Sequence, residues 1–357
     1  MSAATQPPRV VVADDSALMR GIVGSILHRG GVEVVGSAGD GDEALSLCER
    51  ERPDAMTLDL TMPGLGGIDV LRALRKPGRR PLPVVVVSAF SPAHGARAVD
   101  ALAEGAFELV TKPKCGEGGV DAFEQSLLSK VRAAIELRRR QLGSRAVAQS
   151  PVLPPGIGVS DRSCRARRRG LARVLLIASS TGGPRALAEL LPQLPSPLGV
   201  GTLIVQHMPA GFTASLAARL DRASRLNVRE AGGGERLDPN LALVAPGGRH
   251  LRLCDDGVLA LSDDAPLGGL RPRADLLIAD AARRFGERLV LVVLTGMGND
   301  GLRGAEEVRR RGGRILAEAE ESCTVYGMPR AIAEADLADL ILPLRELAQA
   351  IAAEVSW

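Results

Sequence analysis

Three polar residues in the second half of the chain, Ser180, His207 and Asp300, come after apolar runs that predict buried strands. The carboxyl ends of parallel strands meet at one edge of a sheet, so we expect these distant residues to converge. A serine next to a histidine whose imidazole is oriented by an aspartate can attack a carbonyl carbon. The sequence therefore predicts an acyl-transfer site, with Ser180 as nucleophile, His207 as base and Asp300 as the orienting carboxylate.

The serine lies in the segment VLLIASSTGGPRALAELL, which predicts an apolar strand, a turn of small residues and a helix. Pro184 suits the first turn of that helix, where a backbone N–H is not needed. Such a turn exposes a serine near free helix N–H groups, which favours a nucleophile beside an oxyanion site. This segment lacks the GxSxG pattern. A phosphate-binding loop is the competing interpretation, although the segment also lacks GxxxxGK and GxGxxG.

A second set of reactive residues lies at predicted strand ends in the first half of the chain: Asp14, Asp15, Asp59, Ser88 and Lys112. Three carboxylates, a hydroxyl and an ammonium suit Mg²⁺ together with a phosphoryl group, which the Asp59 carboxylate can accept. Lys112 is one of only four lysines among 45 basic residues, which favours a requirement for the ammonium itself. Taken singly, Asp15 or Ser16 could instead cap the next helix.

Apolar runs and amphipathic segments alternate regularly through the first half of the chain. These predicted strands and helices must position the reactive residues. Strands are predicted at residues 9–13, 32–38, 55–59, 84–88 and 107–111, with helices such as 18–27 and 44–50 between them. Continuous apolar runs are typical of parallel strands that helices cover on both faces. We therefore predict an α/β fold with a doubly wound, five-stranded parallel sheet of the flavodoxin-like type.

The chain is predicted to divide into a domain over residues 8–125, a linker over 126–170 and a second domain over 171–357. A helical pattern over 120–142 leads into the Pro- and Arg-rich part of the linker. The second domain is also predicted to be doubly wound α/β, with strands at 174–178, 200–205, 241–244 and 289–294. A tight turn at 255–257 predicts a hairpin and hence a small antiparallel portion.

Composition argues against several classes of protein. The five cysteines form no CxxC pair, and the four histidines form no HExxH pattern, so a zinc site or disulfide framework is not expected. No apolar run is long enough to cross a bilayer and no secretory pattern is found, so we expect a cytoplasmic protein without membrane insertion. The arginine run of the linker lacks interleaved aromatics, which favours a solvated linker over binding of nucleic acid.

The segments VVADDSALMR, TLDLTMPG, VVVVSAF and ELVTKP together resemble the receiver domains of two-component response regulators. The resemblance implies a phosphoryl acceptor, Asp59; metal ligands, Asp14, Asp15, Asp59 and the Thr61 carbonyl; and phosphoryl contacts, Ser88 and Lys112. Receivers often carry an aromatic residue three positions before the lysine, and here that position is Leu109. This departure bears on an aromatic-rotamer switch and not on the acceptor chemistry.

The segments SSTGG, QHMPAGF, VAPGGRHL, TGMGNDG and SCTVYGMPRA resemble the chemotaxis-response protein-glutamate methylesterases, over essentially the whole chain. The resemblance implies that the nucleophile is Ser180, the serine before Thr-Gly-Gly, rather than Ser179. The implied reaction is attack on the γ-carbonyl of a glutamate methyl ester, release of methanol and hydrolysis of the acyl-enzyme. The backbone N–H groups of Thr181 and Met297 are the candidate oxyanion donors.

Two more residues near these motifs are expected to lie outside the catalytic set. His250 follows VAPGGR, and we interpret it as structural or substrate-binding. Asp275, in RPRADLL, is expected to cap or flank the following helix rather than to act in catalysis.

The resemblance also implies partners and cofactors. The phosphodonor would be a sensor histidine kinase of a chemosensory array, and the substrates would be methyl-accepting receptors, whose glutamines the same machinery could deamidate. Mg²⁺ is expected for receiver phosphorylation, and no cofactor is expected for ester hydrolysis. Because the linker is long and polar, we expect the receiver to act by docking over the groove near Ser180, with phosphorylation of Asp59 weakening the docking.

Two alternatives to this function remain open from the residues. The same esterase could serve a receptor pathway outside chemotaxis, and the residues do not separate these two roles. A response regulator whose second domain only binds a partner is the other alternative. The serine, histidine and aspartate at strand ends favour an enzyme, because a binding module does not need them.

Overall fold

The computed structural model describes residues 7–76, 82–89, 92–113, 120–146 and 173–355. The Pro- and Arg-rich part of the predicted linker lies outside these described residues. The chain before it forms a first α/β unit, whose elements are β1 (Arg9–Ala13), α1 (Ala17–Arg29), β2 (Glu33–Ala38), α2 (Gly41–Glu51), β3 (Ala55–Leu58), α3 (Gly67–Leu74), β4 (Val84–Ser88), α4 (Pro92–Ala103), β5 (Glu108–Thr111) and α5 (Val120–Ala146).

The five strands of the first unit form one parallel sheet in the order β2-β1-β3-β4-β5, which confirms the predicted fold. Alternate side chains of β1 point to opposite faces, as they must in a strand. Val10 and Val12 pack with α1 and α5, whereas Val11 and Ala13 pack with α2, α3 and α4. This two-sided burial explains why the strands are uninterrupted apolar runs. Ser16 caps α1 by accepting the N–H of Met19 at 3.4 Å.

The second unit begins at β6 and is also α/β. Its elements are β6 (Val174–Ser179), α6 (Gly183–Leu190), β7 (Gly201–Gln206), α7 (Phe212–Ala223), β8 (Asn227–Glu230), β9 (Leu241–Val244), β10 (His250–Leu253), β11 (Leu259–Ser262), α8 (Ala274–Phe285), β12 (Leu289–Val293), α9 (Leu302–Arg310), β13 (Arg314–Glu318), α10 (Met328–Glu334), β14 (Leu340–Leu342) and α11 (Leu344–Val355), with short 3-10 turns at Leu191–Gln193 and Gly286–Arg288.

Seven strands of the second unit form a parallel sheet in the order β14-β13-β12-β6-β7-β9-β8. The chain starts this sheet in the middle, at β6, and builds outward first through β7 and later through β12. The neighbouring strands β6 and β12 therefore form a topological switch point. The loops that follow their carboxyl ends run in opposite directions and leave a crevice for ligands.

The second unit differs from the sequence-based prediction in two respects. The prediction missed β8, β13 and β14; β8 and β14 are sheet edges with partly exposed side chains, so they lack long apolar runs. The predicted hairpin does form, as the antiparallel pair β10–β11, but it is a separate two-stranded sheet rather than part of the main one.

The helix α5 continues across residue 125, the predicted end of the first domain. Phe123, Leu127, Val131 and Ile135 of this helix pack into the core of the first sheet. The described part of the linker segment is therefore packed against the receiver-like unit. No helix within the described ranges combines the length and the apolar character needed to span a membrane.

The two units pack together through α4, which lies against α6 and α7. Buried apolar residues from both units, including Ala98 and Leu102 of the first and Leu187 and Leu216 of the second, belong to one continuous hydrophobic cluster. Arg219 of α7 forms an ion pair with Asp100 of α4. The first unit therefore lies against the helices that flank the turn carrying Ser180.

Candidate active site and phosphoryl-acceptor site

Ser180 lies at the carboxyl end of β6, in the turn that leads into α6. Its backbone is fixed on both sides: its N–H donates to the Thr295 carbonyl at 3.0 Å, and its carbonyl accepts the N–H of Gly183 at 2.8 Å. Gly182 has a φ of 82°, and a Cβ at this position would lie 2.4 Å from Cβ of Thr324. The turn therefore needs glycine after the serine and threonine, and it holds Ser180 in one backbone position.

The two adjacent serines of the turn have different surroundings. Ser179 is fully buried and its hydroxyl donates to Oε1 of Gln206 at 2.7 Å. Ser180 is partly exposed, and no hydrogen bond of its hydroxyl is recorded within the described part of the chain. A nucleophile must reach a substrate, so the exposure supports Ser180 over Ser179 as the reactive serine.

His207 and Asp300 are in direct contact. Nε2 of His207 lies 2.7 Å from Oδ2 of Asp300, although the residues are 93 positions apart in the sequence. The Asp300 carboxylate also accepts the backbone N–H groups of Ala274 at 2.7 Å and Asp275 at 2.9 Å. Burial raises the pKa of Asp300, but the His207 contact and these N–H groups outweigh it and bring the pKa to about 2. Asp300 is therefore a carboxylate at any ordinary pH.

The other ring nitrogen of His207, Nδ1, is buried and has no hydrogen-bond partner within the described residues. His207 follows β7, which is the direct neighbour of β6. The backbone N–H of His207 donates to the Ser179 carbonyl at 3.1 Å. Ser180 and His207 therefore leave neighbouring strand ends side by side. A buried imidazole nitrogen without a partner is a free proton acceptor, and catalytic hydrogen bonds commonly tighten only when substrate binds.

The two candidate oxyanion donors flank the serine. Thr181 is the next residue, and Met297 lies in the loop between β12 and α9 with half of its surface exposed. That loop passes close to the nucleophile, since a Cβ on Gly296 would lie 2.9 Å from Cβ of Ser180. Within the described residues, no hydrogen bond is recorded for the backbone N–H of Thr181 or Met297. Both N–H groups are thus available to a developing oxyanion.

The predicted phosphoryl site also assembles, at the carboxyl edge of the first sheet. One oxygen from each of Asp14, Asp15 and Asp59 lies within 4.8 Å of the others, a hard-oxygen donor set that fits Mg²⁺. Nζ of Lys112 lies 2.7 Å from Asp14 and 2.8 Å from Asp59. Burial raises the pKa of Asp14. Burial alone would lower the pKa of Lys112, but the two neighbouring carboxylates outweigh this effect and raise that pKa.

The remaining receiver residues lie around this cluster. Ser88 is fully buried at the end of β4, and Thr61 is exposed in the loop two residues after Asp59. Leu109, where receivers often have an aromatic residue, is buried in β5. The roles of the Ser88 hydroxyl and the Thr61 carbonyl stay predictions.

Comparisons with known proteins match two families, each to one part of the chain. The model of the CheB methylesterase family matches residues 175–351, and the model of the response regulator receiver domain matches residues 10–119. A protein-glutamate methylesterase/protein-glutamine glutaminase from Symbiobacterium thermophilum is 40% identical over 97% of this chain and 96% of its own length. One from Pyrococcus abyssi is 36% identical over 96% of this chain and 92% of its own.

The chain belongs to the CheB methylesterase family. Among solved structures, the CheB methylesterase catalytic domain of Thermotoga maritima is similar, with 39% identity and a TM-score of 0.50. It covers 52% of this chain, and 99% of that catalytic domain is matched. This chain combines a receiver domain with a methylesterase domain. Its membership of the family confirms the predicted enzyme class.

Sequence reasoning missed several residues that shape this CheB-type site. Gln206 donates from Nε2 to the Ser180 carbonyl at 2.8 Å and accepts the Ser179 hydroxyl, so it holds the serine turn. Glu318 is fully buried and accepts the Thr295 N–H at 2.8 Å, next to the carbonyl that binds Ser180. The only sequence signal for Gln206 is its place directly before His207 in QHMPAGF.

His250 and Asp275 have positions that fit the structural roles expected for them. His250 is fully buried; its Nδ1 accepts the Arg273 N–H at 3.2 Å and its Nε2 lies 3.3 Å from the Ala265 carbonyl. Asp275 lies in the first turn of α8, but its Oδ1 accepts the N–H groups of Gly301 and Gly304. It therefore caps α9, the helix after Asp300, rather than its own helix.

Proposed function

We propose that this chain hydrolyses glutamate γ-methyl esters on methyl-accepting chemoreceptors and deamidates receptor glutamines, with Ser180, His207 and Asp300 as the catalytic residues. Membership of the CheB family supports the reaction and the receptor substrate. The observation that carries the residue assignment is the His207–Asp300 contact next to the partly exposed Ser180. Nδ1 of the imidazole has no hydrogen-bond partner within the described residues. In this proposal the reaction takes place in the cytoplasm, where a chemosensory histidine kinase supplies the phosphoryl group.

The proposed mechanism follows from the free ring nitrogen. His207 Nδ1 takes the proton of the Ser180 hydroxyl as Oγ attacks the ester carbonyl carbon. The carbonyl oxygen becomes an oxyanion, which the N–H groups of Thr181 and Met297 stabilise. The imidazolium then gives its proton to the leaving methoxide, and methanol departs. Water attacks the acyl-enzyme with His207 again as base, which frees the glutamate carboxylate and restores the serine.

Asp300 makes this cycle possible because it stays ionised throughout. Its carboxylate accepts a hydrogen bond from the Nε2–H group, which leaves Nδ1 as the basic nitrogen of the neutral ring. When Nδ1 is protonated, the same carboxylate stabilises the imidazolium. Deamidation uses the same steps with ammonia as leaving group, since the γ-amide differs from the γ-ester only in that group.

In the proposed control, Asp59 accepts a phosphoryl group from the kinase. Asp14, Asp15 and Asp59 would hold Mg²⁺, which supplies charge neutralisation for the incoming phosphoryl group. The Lys112 ammonium, already 2.8 Å from Asp59, would pair with the phosphoryl oxygens. Phosphorylation of Asp59 adds negative charge next to Lys112 and Asp14 and so changes the ion pairs at this edge of the receiver.

We further propose that the receiver restricts access to Ser180 in the unphosphorylated chain. The packing of α4 on α6 and α7 supports this arrangement, because α6 begins three residues after Ser180. The interface is not tightly closed: a cavity of about 760 Å³ lies between the domains, lined by Arg75 of the receiver and Arg185 of α6. Burial lowers the pKa of Arg75, and the like charge of Arg185 lowers it further, so the two cations repel each other across the interface.

A comparison of the two adjacent serines tests the proposed function. Ser180→Ala should abolish methanol release from methylated receptor, because loss of a triad serine costs about 10⁴-fold or more. Ser179→Ala is the matched control: it removes a hydrogen bond to Gln206, worth about 1 kcal/mol of stability, and should keep most of the turnover. Turnover by Ser180→Ala at the wild-type rate would show that the assignment is wrong.

A further inference from the structure

Arg273 lies beside the catalytic aspartate, and its contact with that carboxylate is direct. Its Nε is 2.9 Å from Oδ1 of Asp300, while Nε2 of His207 is 2.7 Å from the other oxygen, Oδ2. Within the described residues, Arg273 and His207 are the two side chains recorded in contact with this carboxylate. Backbone N–H groups of Ala274 and Asp275 also donate hydrogen bonds to Asp300. The contact of Arg273 with Asp300 is an ion pair, since Nε of Arg273 donates its recorded hydrogen bond to Oδ2 of Asp275 at 3.3 Å.

The same guanidinium bridges Asp300 to a second carboxylate. Nη2 of Arg273 donates to Oδ2 of Asp275 at 2.8 Å, while Oδ1 of Asp275 accepts the N–H groups of Gly301 and Gly304. Asp275 thus holds the backbone that directly follows Asp300. Two carboxylates so close together repel each other in a poorly solvated site, and a planar cation between them removes that repulsion.

Arg273 is itself held in place at both ends. Its backbone N–H donates to Nδ1 of the fully buried His250, and its Nη1 donates to the Leu267 carbonyl at 3.3 Å. Only 18% of its side chain is exposed. Burial would lower the pKa of Arg273, but the ion pairs with Asp275 and Asp300 raise it, so the group is a permanent cation.

We propose that Arg273 is a positioning residue of the esterase, which fixes the rotation of the Asp300 carboxylate and thereby the orientation of the His207 ring. An ion pair on Oδ1 keeps Oδ2 directed at Nε2, and Nδ1 then stays free to accept a proton. Within the described residues no contact between Arg273 and Ser180 is recorded, so Arg273 acts through the carboxylates it touches. This inference rests on the proposed function and names a further residue of the same site.

The test measures kcat and KM for methanol release by the full-length chain, activated with Mg²⁺ and a small-molecule phosphodonor, on methylated receptor. Arg273→Gln should lower kcat about 10- to 100-fold with KM within about twofold, as expected for a misplaced catalytic group. Arg273→Lys keeps the charge but cannot bridge both carboxylates, so its kcat should fall to about a third of wild type or less. Either variant at wild-type kcat would overturn the proposal, as would a higher KM with unchanged kcat.

Arg252→Gln is the matched control. Arg252 forms a similar two-point ion pair, with Asp280 of α8 at 2.6 and 3.0 Å, but it does not contact Asp300. Its loss should leave kcat unchanged. An equal fall of kcat in Arg252→Gln and Arg273→Gln would indicate a general effect of losing an ion pair on α8, and the positioning role would be wrong.

Ser180→Ala in the same assay separates this inference from the proposed function. If Ser180→Ala is inactive and Arg273→Gln equals wild type, only the role of Arg273 is wrong. If Ser180→Ala keeps its turnover, the proposed function itself is wrong.

A spectroscopic readout tests Arg273 without any turnover. The proton on Nε2 of His207 should give a strongly downfield ¹H signal because it is bonded to a carboxylate. The chain has four histidines, so His207→Gln identifies this signal by its loss. In folded Arg273→Gln or Arg273→Lys protein the signal should shift or broaden; an unchanged signal would contradict the proposal.

Discussion

The hydroxyl of Thr181 donates a hydrogen bond of 2.7 Å to the Glu108 carboxylate, and this bond joins the turn next to Ser180 to β5 of the receiver. Thr181 is also a candidate oxyanion donor through its backbone N–H. Glu108 lies 3.9 Å from Lys130 of α5 as well, so the bond links the esterase turn to an edge strand and a helix of the receiver. The receiver therefore contacts the turn that carries Ser180 and not only the helices behind it.

Loosening this interface from the receiver side should raise the activity of the unphosphorylated chain. Glu108→Ala removes the acceptor of Thr181, and Asp100→Ala removes the partner of Arg219, while both leave the catalytic domain chemically intact. Partly exposed contacts of this kind are worth about 1 kcal/mol or less, so we expect each variant to release methanol a few times faster without phosphodonor. Arg29→Ala, which breaks an ion pair with Glu124 inside the receiver, should have no effect. Unchanged basal rates in Glu108→Ala and Asp100→Ala together would contradict the inhibitory docking.

Receiver phosphorylation should depend on Asp59 and on the shape of the Lys112 cation. A small-molecule phosphodonor with Mg²⁺ should label the wild-type chain once, and Asp59→Asn should prevent labelling. Lys112→Arg should weaken activation by phosphodonor, because a broad guanidinium cannot replace an ammonium that lies between Asp14 and Asp59 at 2.7 and 2.8 Å. Lys76→Arg makes the same substitution at an exposed position and should behave as wild type. Full labelling of Asp59→Asn would move the acceptor elsewhere.

Replacement of Asp300 by Asn should reduce turnover at every pH rather than shift the pH profile. With its pKa lowered to about 2, Asp300 is already ionised across the working range. Asp300→Asn offers one acceptor oxygen where His207 and two backbone N–H groups donate, so the ring loses its orientation and kcat should fall by about 10⁴-fold. The measurement is kcat against pH, and recovery of Asp300→Asn activity at high pH would exclude this explanation.

The lowered pKa of Asp300 also affects stability in acid. Because the folded state holds the carboxylate below its ordinary pKa, the stabilisation is complete above about pH 4 and is lost as the pH falls toward the folded pKa. The difference in free energy of unfolding between wild type and Asp300→Asn should therefore shrink across that window. Denaturant titrations at a series of acid pH values would measure it, and a constant difference would argue against the lowered pKa.

Glu318 should show the opposite sign. Burial raises the pKa of Glu318 despite the Thr295 N–H and the Ser322 hydroxyl, so the ionised form costs stability once the pH exceeds its ordinary pKa. Glu318→Gln should therefore gain stability relative to wild type as the pH rises above the ordinary glutamate pKa of about 4. Glu307, whose pKa is lowered by Arg311, is the control, because the stability that Glu307→Gln loses should stay constant above that pH and shrink only below it. Thermal unfolding at several pH values distinguishes the two; parallel curves for wild type and Glu318→Gln would contradict the prediction.

Some of the site could not be read from local sequence because its partners are far apart in the chain. Arg273 lies between His250 and Asp300, and Gln206 binds two serines 26 and 27 positions earlier. No periodicity or spacing marks such contacts. The edge strands β8 and β14 were missed for a different reason, since only one face of an edge strand needs apolar residues.

The parallel α/β class of both domains and the strand ends that carry the reactive residues could be predicted from residue patterns, because buried parallel strands require uninterrupted apolar runs. Ser180, His207, Asp300 and the receiver aspartates could be proposed because each lies at the end of such a run or in the turn that follows it. The tertiary structure alone decided that His207 contacts Asp300 through Nε2, that Asp275 caps α9, and that Glu108 binds Thr181. These contacts depend on the order of strands in the sheet and on the packing of one domain against the other, and neither is encoded in any short segment of the chain.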